Sequence, residues 1–101
     1  MIAVERMTQR VLPGKWAELE AIDKKFNKVE AKAGFPAKTR YQCVIGSLDQ
    51  NMLIIERQWP SLAAMEAAYE KVMADPEWQV LGQEVLAVVA SSQIEVFTPL
   101  P

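Results

Sequence analysis

The stretch VLPGKWAELEAIDKKFNKVEAKAGFP, residues 11–36, contains the change of period that decides the fold. The residues at the start of the chain alternate imperfectly between apolar and polar types, which predicts a strand over residues 2–12. After Pro13 and Gly14, apolar residues recur every three or four positions, which predicts an amphipathic helix of about five turns that ends at Gly34. Its apolar positions are Trp16, Leu19, Ile22, Phe26, Val29 and Ala33.

Two further strands are predicted after this helix. The segments TRYQCVIGSL (residues 39–48) and MLIIERQW (residues 52–59) are rich in β-branched and aromatic residues, and the polar residues 49–51 separate them. A break of this length fits a hairpin and is too short for a parallel crossover, so we expect an antiparallel pair. Pro60 closes the second strand of the pair.

The remaining residues predict two helices and a final strand. Ser61 is a suitable N-cap for a helix over residues 62–74, whose alanines favour that structure. A second helix begins after Asp75 and is expected to continue until the serines at positions 91 and 92. Residues 93–98, QIEVFT, have the pattern of a short strand.

The order of these elements is strand, helix, strand, strand, helix, helix, strand, and the length of 101 residues suits a single domain. This order fits a ferredoxin-like α+β fold, in which a four-stranded antiparallel sheet carries helices on one face. The strands have apolar residues in both phases, for example Ile54 and Ile55. A second apolar face would expose a large patch unless another copy covered it, so we expect a homodimer.

The composition limits the classes of partner. The formal net charge of −2 gives no basic stripe for nucleic acid and no cationic face for a membrane. No run approaches the ~18 consecutive apolar residues of a membrane span, and we expect no signal peptide because the first residues include acidic and polar ones. Cys43 is the only cysteine, so no internal disulfide can form, and we expect a cytoplasmic protein without nucleic-acid or membrane partners.

The most informative count is that of histidine, which is zero. Histidine is the usual metal ligand and the usual general base near neutral pH. Its absence removes serine–histidine and cysteine–histidine nucleophile pairs, histidine-ligated haem and metal sites that need imidazole, so we expect no metal and no cofactor. Carboxylates, tyrosines and lysines remain available for catalysis, as does a pocket that only orients a reactive substrate.

Three short segments carry a family resemblance. They are LPGK (residues 12–15) before the long helix, WPSL (residues 59–62) where a strand runs into a helix, and ADPEWQ (residues 74–79) at the entry to the last helix. In this order and spacing the chain resembles the dimeric α+β barrel group, and most of all its NIPSNAP-type and antibiotic-biosynthesis-monooxygenase-type domains. The resemblance implies two ferredoxin-like subunits whose sheets face each other and enclose a pocket.

The resemblance implies a choice of functions, because members of the group range from cofactor-free oxygenases through haem enzymes to proteins with no known activity. The haem branches use a histidine ligand, which this chain lacks. The cofactor-free oxygenases are similar to it at Trp59, and their other pocket groups have no match here. The first hypothesis is a cofactor-independent enzyme, of the monooxygenase or isomerase type, acting on a small planar molecule in the barrel pocket. The alternatives are a non-catalytic module that binds a small ligand and a structural dimer with a filled interior.

Arg57 and Trp59 are the first two candidates for the pocket because they share one face of a strand. The arginine could hold a carboxylate, phenolate or enolate, and the tryptophan could stack on a flat ligand. In the alternative, Trp59 packs at the sheet edge, and Arg57 pairs with a glutamate, Glu56 or Glu95, across the dimer. If the other phase of the strand faces the pocket, Glu56 and Gln58 serve instead.

Tyr41 and Glu95 are the other two candidates. Tyr41 is a pocket phenol or else interfacial packing, and Glu95 is a base or else a solvated or salt-bridged glutamate. Glu5 and Arg6, on the first strand, are likewise either pocket residues or solvated or salt-bridged side chains. Cys43 lies in an apolar segment with no histidine to activate it, so we interpret it as a buried small hydrophobic residue.

Overall fold

A computed structural model describes residues 1–46 and 48–101. Within them the chain forms β1 (Ala3–Val11), α1 (Trp16–Lys32), β2 (Thr39–Gln42), β3 (Met52–Trp59), α2 (Leu62–Met73), α3 (Pro76–Val85) and β4 (Val89–Phe97). The strands pair antiparallel in one sheet, and the elements follow the predicted order. The predicted ferredoxin-like α+β class is confirmed.

The sheet has the strand order β2-β3-β1-β4, so β3 and β1 are its central strands. Met7 of β1 lies opposite Ile55 of β3 on one side and opposite Ile94 of β4 on the other. β2 pairs with β3 and places Arg40 opposite Ile55. Because side chains alternate along a strand, these four residues belong to the same face of the sheet. We call it the inner face, since the helices cover it.

The core lies between the inner face and the three helices. Val11 and Leu53 contribute to it from the central strands, and the apolar stripe of α1 contributes at the helical spacing that the sequence predicts. Burying each such side chain stabilises the fold by about 1.5–3 kcal/mol. The helix residues buried in this core are Leu19, Ile22, Val29, Val72 and Leu81.

The predicted signals at the helix ends are confirmed. Gly34 follows α1 with a φ of +86°, in the left-handed region that favours glycine. The Ser61 hydroxyl accepts a hydrogen bond from the Ala64 N–H at 3.0 Å and caps α2. The Asp75 carboxylate accepts one from the Glu77 N–H at 2.9 Å and caps α3. Each cap satisfies a backbone donor that a helix start leaves without a partner.

The second strand is shorter than predicted. The strand expected over residues 39–48 ends at Gln42. Beyond it Val44 and Ile45 are exposed, so the apolar run that suggested a longer strand finds no sheet to pack on. Ser47, at the end of the predicted span, lies outside the described residues.

The last helix ends sooner, and the last strand begins sooner, than predicted. α3 ends at Val85, and the backbone N–H groups of residues 86–88 bond to carbonyls three residues back, which tightens the chain as it leaves the helix. β4 begins at Val89, which lies opposite Val11 of β1. Pairing with β1 therefore overrides the helical period that pointed to a later boundary.

The second face of the sheet, which we call the outer face, has no helix of the described chain packed on it. Arg6 and Glu56 form a salt bridge there at 2.8 Å, and the Arg6 guanidinium lies 5.1 Å from the centre of the Phe97 ring. The described chain is accordingly flat, measuring 37 × 37 × 17 Å. None of its described helices combines the length and apolar character needed to cross a bilayer.

Candidate functional site

A cavity of about 430 Å³ lies between the inner face of the sheet and the helices. Met7, Ile55 and Ile94, which form one row across three strands, line its sheet side. Residues of α1, α2 and α3 line its other side. The volume falls within the ~300–1,000 Å³ that is usual for small-molecule sites.

Apolar and aromatic side chains form most of the cavity lining, with rings from Phe26, Phe35, Tyr69 and Trp78. Gly82 on α3 explains part of the open space. A Cβ at Gly82 would meet no atom within 4 Å, so the absence of a side chain leaves room beside the lining ring of Trp78, one helical turn earlier. The missing side chain at Gly82 therefore adds to the open space of the cavity.

The cavity opens where three of its apolar lining residues are more than half exposed. These are Met73 at the end of α2, Leu86 just after α3 and Ile94 on the edge strand β4, with exposed fractions of 54%, 69% and 53%. Exposed apolar groups that continue into a cavity mark a ligand-binding groove or an interaction site. We place the entrance between these three residues.

Buried charges form the polar end of the cavity, with Arg57 of β3 at their centre. Arg57 is 5% exposed, and its Nη2 donates a hydrogen bond to Glu30 Oε1 of α1 at 2.7 Å. Its Nη1 lies 3.5 Å from Glu5 Oε1 of β1, and its guanidinium carbon lies 5.0 Å from the centre of the Phe35 ring. Its Nε is buried without a hydrogen-bond partner among the described residues. Two carboxylates and a ring face thus stabilise the charge.

The row of charges continues along α1. Lys38 pairs with both Glu30 and Asp23, and its side chain is 8% exposed. Arg40 of β2 pairs with Asp23 and with Glu20. The hydrogen bond with Arg40 lowers the pKa of Glu20, and the same bond raises the pKa of Arg40. We use the name charged wall for the five charged residues that line both the cavity and a second, more polar depression: Asp23, Glu30, Lys38, Arg40 and Arg57.

Glu5 is the most deeply buried carboxylate of this region, with 2% of its surface exposed. One of its oxygens accepts a hydrogen bond from Trp59 Nε1 at 3.1 Å, and the other accepts one from the Tyr69 hydroxyl. Burial, together with that hydrogen bond, raises the pKa of Tyr69 above the usual tyrosine value. The result is a neutral phenol held against a buried carboxylate at the edge of the cavity.

Arg57 and Trp59, the first two predicted site residues, both lie on the inner face of β3. Arg57 lines the cavity. Trp59 is 2% exposed and packs against Phe35 and Tyr69, with ring centres 5.0 and 6.2 Å apart, and these two rings line the cavity in its place. Trp59 therefore supports the aromatic lining from behind.

Within the described chain, Arg57 pairs with neither Glu56 nor Glu95. Glu56 lies on the outer face, where it binds Arg6, and Glu95 lies opposite Arg6 on the same face. Because neighbouring residues of a strand point to opposite faces, Arg57 reaches instead the carboxylates of β1 and α1. Trp59 also lies on a central strand of the sheet, away from its edges.

Tyr41 and Glu95, the other two predicted site residues, lie on the outer face and are exposed. The structure thus separates the four candidates, with one pair beside the cavity and the other pair across the sheet from it. The sequence predicted a pocket between two facing sheets, which would lie on the side of Tyr41 and Glu95. The cavity of the single chain lies on the side of the helices.

Sequence reasoning did not select Tyr69 or Glu30, although both carry a readable signal. Tyr69 is one helical turn from Met65 and from Val72, so it belongs to an inward stripe, where a hydroxyl needs a partner. Glu30 carries the same signal, since it lies one helical turn from Phe26 and from Ala33, on the apolar stripe of α1. It meets Lys38 only because the chain reverses after Gly34.

Among residues 1–46 and 48–101, neither a metal-ligand cluster nor the single thiol belongs to the cavity. No group of three or more histidine, cysteine, aspartate or glutamate side chains in these ranges is arranged to hold a metal ion. Cys43 is partly buried, and its thiol donates a hydrogen bond to the carbonyl of Leu48 at 2.9 Å. It is not among the residues that line the cavity.

Comparison with known protein families shows to which family the chain belongs. Residues 4–101 match NIPSNAP. The chain belongs to the NIPSNAP family. The resemblance seen in the sequence is confirmed, and no curated protein matches the chain significantly.

Solved structures of NIPSNAP proteins have the same fold. A NIPSNAP family protein from Agrobacterium tumefaciens has a TM-score of 0.83 at 21% identity, over 99% of this chain and 94% of that one. An uncharacterised NIPSNAP-like domain protein from Burkholderia xenovorans has a TM-score of 0.82 at 16% identity, over 98% and 85%. A variant of SnoaB, a cofactor-independent oxygenase from Streptomyces nogalater, has a TM-score of 0.69 at 17% identity, over 97% and 92%. The fold is that of the dimeric α+β barrel structures.

The pairing of Tyr69 with Glu5 predicts a difference between the two tyrosines of the chain. Tyr69→Phe leaves a buried carboxylate with one hydrogen bond fewer, so we expect the free energy of unfolding in urea to fall by about 1–3 kcal/mol. Tyr41→Phe is the matched control, because it removes an exposed hydroxyl on the outer face and should change that free energy by less than about 0.5 kcal/mol. Equal losses in the two variants would contradict the buried pairing.

The raised pKa of Tyr69 predicts a pH dependence of stability. The folded state binds the phenol proton more tightly than the unfolded state, so this contribution is complete below the usual tyrosine pKa of about 10 and is lost as the pH rises above it. The wild-type chain should therefore lose stability in alkaline solution more steeply than Tyr69→Phe, as measured by the urea midpoint at each pH. Parallel pH profiles would show that Tyr69 is not the group responsible.

Proposed function

We propose that this NIPSNAP chain binds a small, planar and largely apolar molecule in the cavity between sheet and helices. The observation that carries the proposal is the cavity itself, about 430 Å³ in volume, with a mainly apolar and aromatic lining and an apolar rim. Protein interiors are close-packed, so a gap of this size in a domain of 101 residues sacrifices packing contacts. A ligand that fills it restores those contacts.

The lining also supports the shape and polarity of the ligand. Phe35 and Tyr69 meet edge to face, with ring centres 4.9 Å apart, and both line the cavity. Aromatic faces and edges are favourable partners for a flat ring system. The buried Nε of Arg57, which lacks a partner among the described residues, supports a ligand or bridging water that supplies a hydrogen-bond acceptor at the polar end.

The second candidate function is cofactor-independent catalysis of the monooxygenase or isomerase type. Its specific support is the pair formed by Tyr69 and Glu5, together with the fold likeness to SnoaB, a cofactor-independent oxygenase. A phenol held by a buried carboxylate can donate a hydrogen bond to a substrate carbonyl or exchange a proton with it. Catalysis requires a product that appears with the wild-type chain and disappears with Tyr69→Phe while binding persists. Binding without a product supports the non-catalytic module.

We also propose that two copies of the chain pair through their outer faces. The support is the uncovered outer face, where Tyr41 and Phe97 are 50% and 41% exposed, and the match to the dimeric α+β barrel fold. Exposed apolar groups on a sheet are stabilised when a second sheet covers them, and a two-fold pair is the commonest arrangement. In this pair, Tyr41 and Glu95 face the partner and line any space between the two sheets.

The dimer has a direct test by native mass spectrometry at micromolar concentration. The wild-type chain should have the mass of two copies. Ile54→Glu places a charge on the outer face of the central strand β3 and should shift the population to monomers, because covering a charge with a second apolar sheet is unfavourable. The control is Val80→Glu, at an exposed position of α3 on the helix side. A wild-type monomer, or equal effects of the two variants, would contradict pairing through the outer face.

The location of the ligand is tested by filling the cavity. Gly82→Leu adds a side chain where a Cβ meets no atom within 4 Å, so the fold should tolerate it. We expect it to weaken the binding of naphthalenemethanol, a planar neutral probe, by about tenfold or more, since each 1.4 kcal/mol of lost contact changes affinity by that factor. A probe at one hundred times its dissociation constant stabilises the wild-type chain by about 2.7 kcal/mol, which unfolding in urea can measure.

Gln83→Leu is the matched control for this experiment. It adds the same leucine to α3 at the next position, which is exposed and does not line the cavity. The probe should stabilise Gln83→Leu as much as it stabilises the wild-type chain. Full stabilisation of Gly82→Leu by the probe would place the binding site elsewhere and contradict the proposal.

A further inference from the structure

Glu30 is the carboxylate that two cations of the charged wall share. Its Oε1 accepts a hydrogen bond from Arg57 Nη2 at 2.7 Å and from Lys38 Nζ at 3.3 Å. The three side chains are nearly buried, with exposed fractions of 13%, 4% and 8% for Glu30, Arg57 and Lys38. All three also line the cavity. A single oxygen of α1 therefore neutralises positive charge that comes from β3 and from the loop before β2.

The cations that line the cavity are matched by carboxylates of the chain itself. Arg57 has Glu5 in addition to Glu30, and Lys38 has Asp23 in addition to Glu30. Arg40 likewise has two carboxylate partners, on α1. The three cations of the described cavity lining therefore have four carboxylate partners, namely the half-exposed Glu20 and the nearly buried Glu5, Asp23 and Glu30. The polar end of the cavity thus carries no excess of positive charge, despite its arginines and lysine.

We infer that Glu30 makes the cavity selective for neutral ligands over anionic ones. An anionic group beside Arg57 and Lys38 would either displace Glu30, which leaves a nearly buried carboxylate without its partners, or lie against the negative charge of Glu30, and both are unfavourable. A neutral carbonyl or hydroxyl can bind beside the wall without displacing a carboxylate. The inference rests on the proposed function, and it narrows the ligand from a planar molecule to an uncharged one.

Glu30 is better suited to this role than the other two buried carboxylates. Glu5 is also held by Trp59 and Tyr69, so its removal would break several contacts at once. Asp23 partners Lys38 and Arg40, and leaves Arg57 unaffected. Glu30→Gln keeps an acceptor oxygen within reach of both cations and removes only the charge. The variant removes the one negative charge that Arg57 and Lys38 share, so an anionic group of a ligand can take its place.

The test compares two probes by titration calorimetry at neutral pH. They are naphthalenemethanol and the naphthoate that carries its carboxylate at the same ring position. The wild-type chain should bind the alcohol at least about tenfold more tightly than the carboxylate. Glu30→Gln should tighten naphthoate binding by about tenfold, the size expected of a charge-assisted contact, and leave the alcohol nearly unchanged. Glu18→Gln, with the same charge change at an exposed position of α1, should behave as the wild-type chain does.

The outcomes of this test distinguish failure of the inference about Glu30 from failure of the proposed ligand site. Tighter binding of the alcohol by the wild-type chain, with naphthoate rescued in Glu30→Gln, supports the inference. Equal or tighter binding of naphthoate by the wild-type chain, or an unchanged ratio in Glu30→Gln, overturns the inference and leaves the ligand pocket in place. Binding of neither probe by any variant overturns the proposed function, and the inference with it. If Glu30→Gln does not fold, the wild-type ratio decides alone.

Discussion

The buried guanidinium of Arg57 is the group on which the rest of the structure depends, because it joins the two central strands to the first helix. It lies on β3, and its carboxylate partners Glu5 and Glu30 lie on β1 and α1. Removing one partner of a buried ion pair costs roughly 3–5 kcal/mol, a large share of the stability of a small domain. The contact to Glu5 requires the observed register, in which the two residues lie opposite each other. A shift of β3 by one residue would carry Arg57 to the outer face.

The same charges shape the cavity. Glu5 also accepts hydrogen bonds from Trp59 and Tyr69, and Arg57 rests on Phe35, so α2 and the loop after α1 are held around this cluster. Side chains that must stay paired and hydrogen-bonded cannot collapse as an apolar core does. Where α3 passes over the remaining space, Gly82 contributes no side chain to fill it. The buried charges and Gly82 therefore together give the cavity its polar end, its aromatic lining and its open apolar region.

The elements of the fold could be predicted from the sequence because local and tertiary preferences agree in them. The spacing of apolar residues in α1, the stop at Gly34 and the cap at Ser61 each act within a few residues. The composition of the site could not be predicted, because Ile54 and Ile55 make both phases of β3 partly apolar. Only the register with β1 shows which phase meets the helices. The end of α3 could not be predicted either. It is set by the pairing of β4 with β1, and these two strands are far apart in the sequence.

The central claim is that the functional space lies between sheet and helices, and a crystal structure of the protein soaked with naphthalenemethanol tests it most directly. The account predicts the ring system against Phe35 and Tyr69, beside Gly82, with its hydroxyl directed towards the charged wall. The contrary result is a probe bound on the outer face near Tyr41 and Glu95, in a space enclosed by two sheets. That position would return the site to the pocket between subunits and leave the cavity of the single chain as a packing feature.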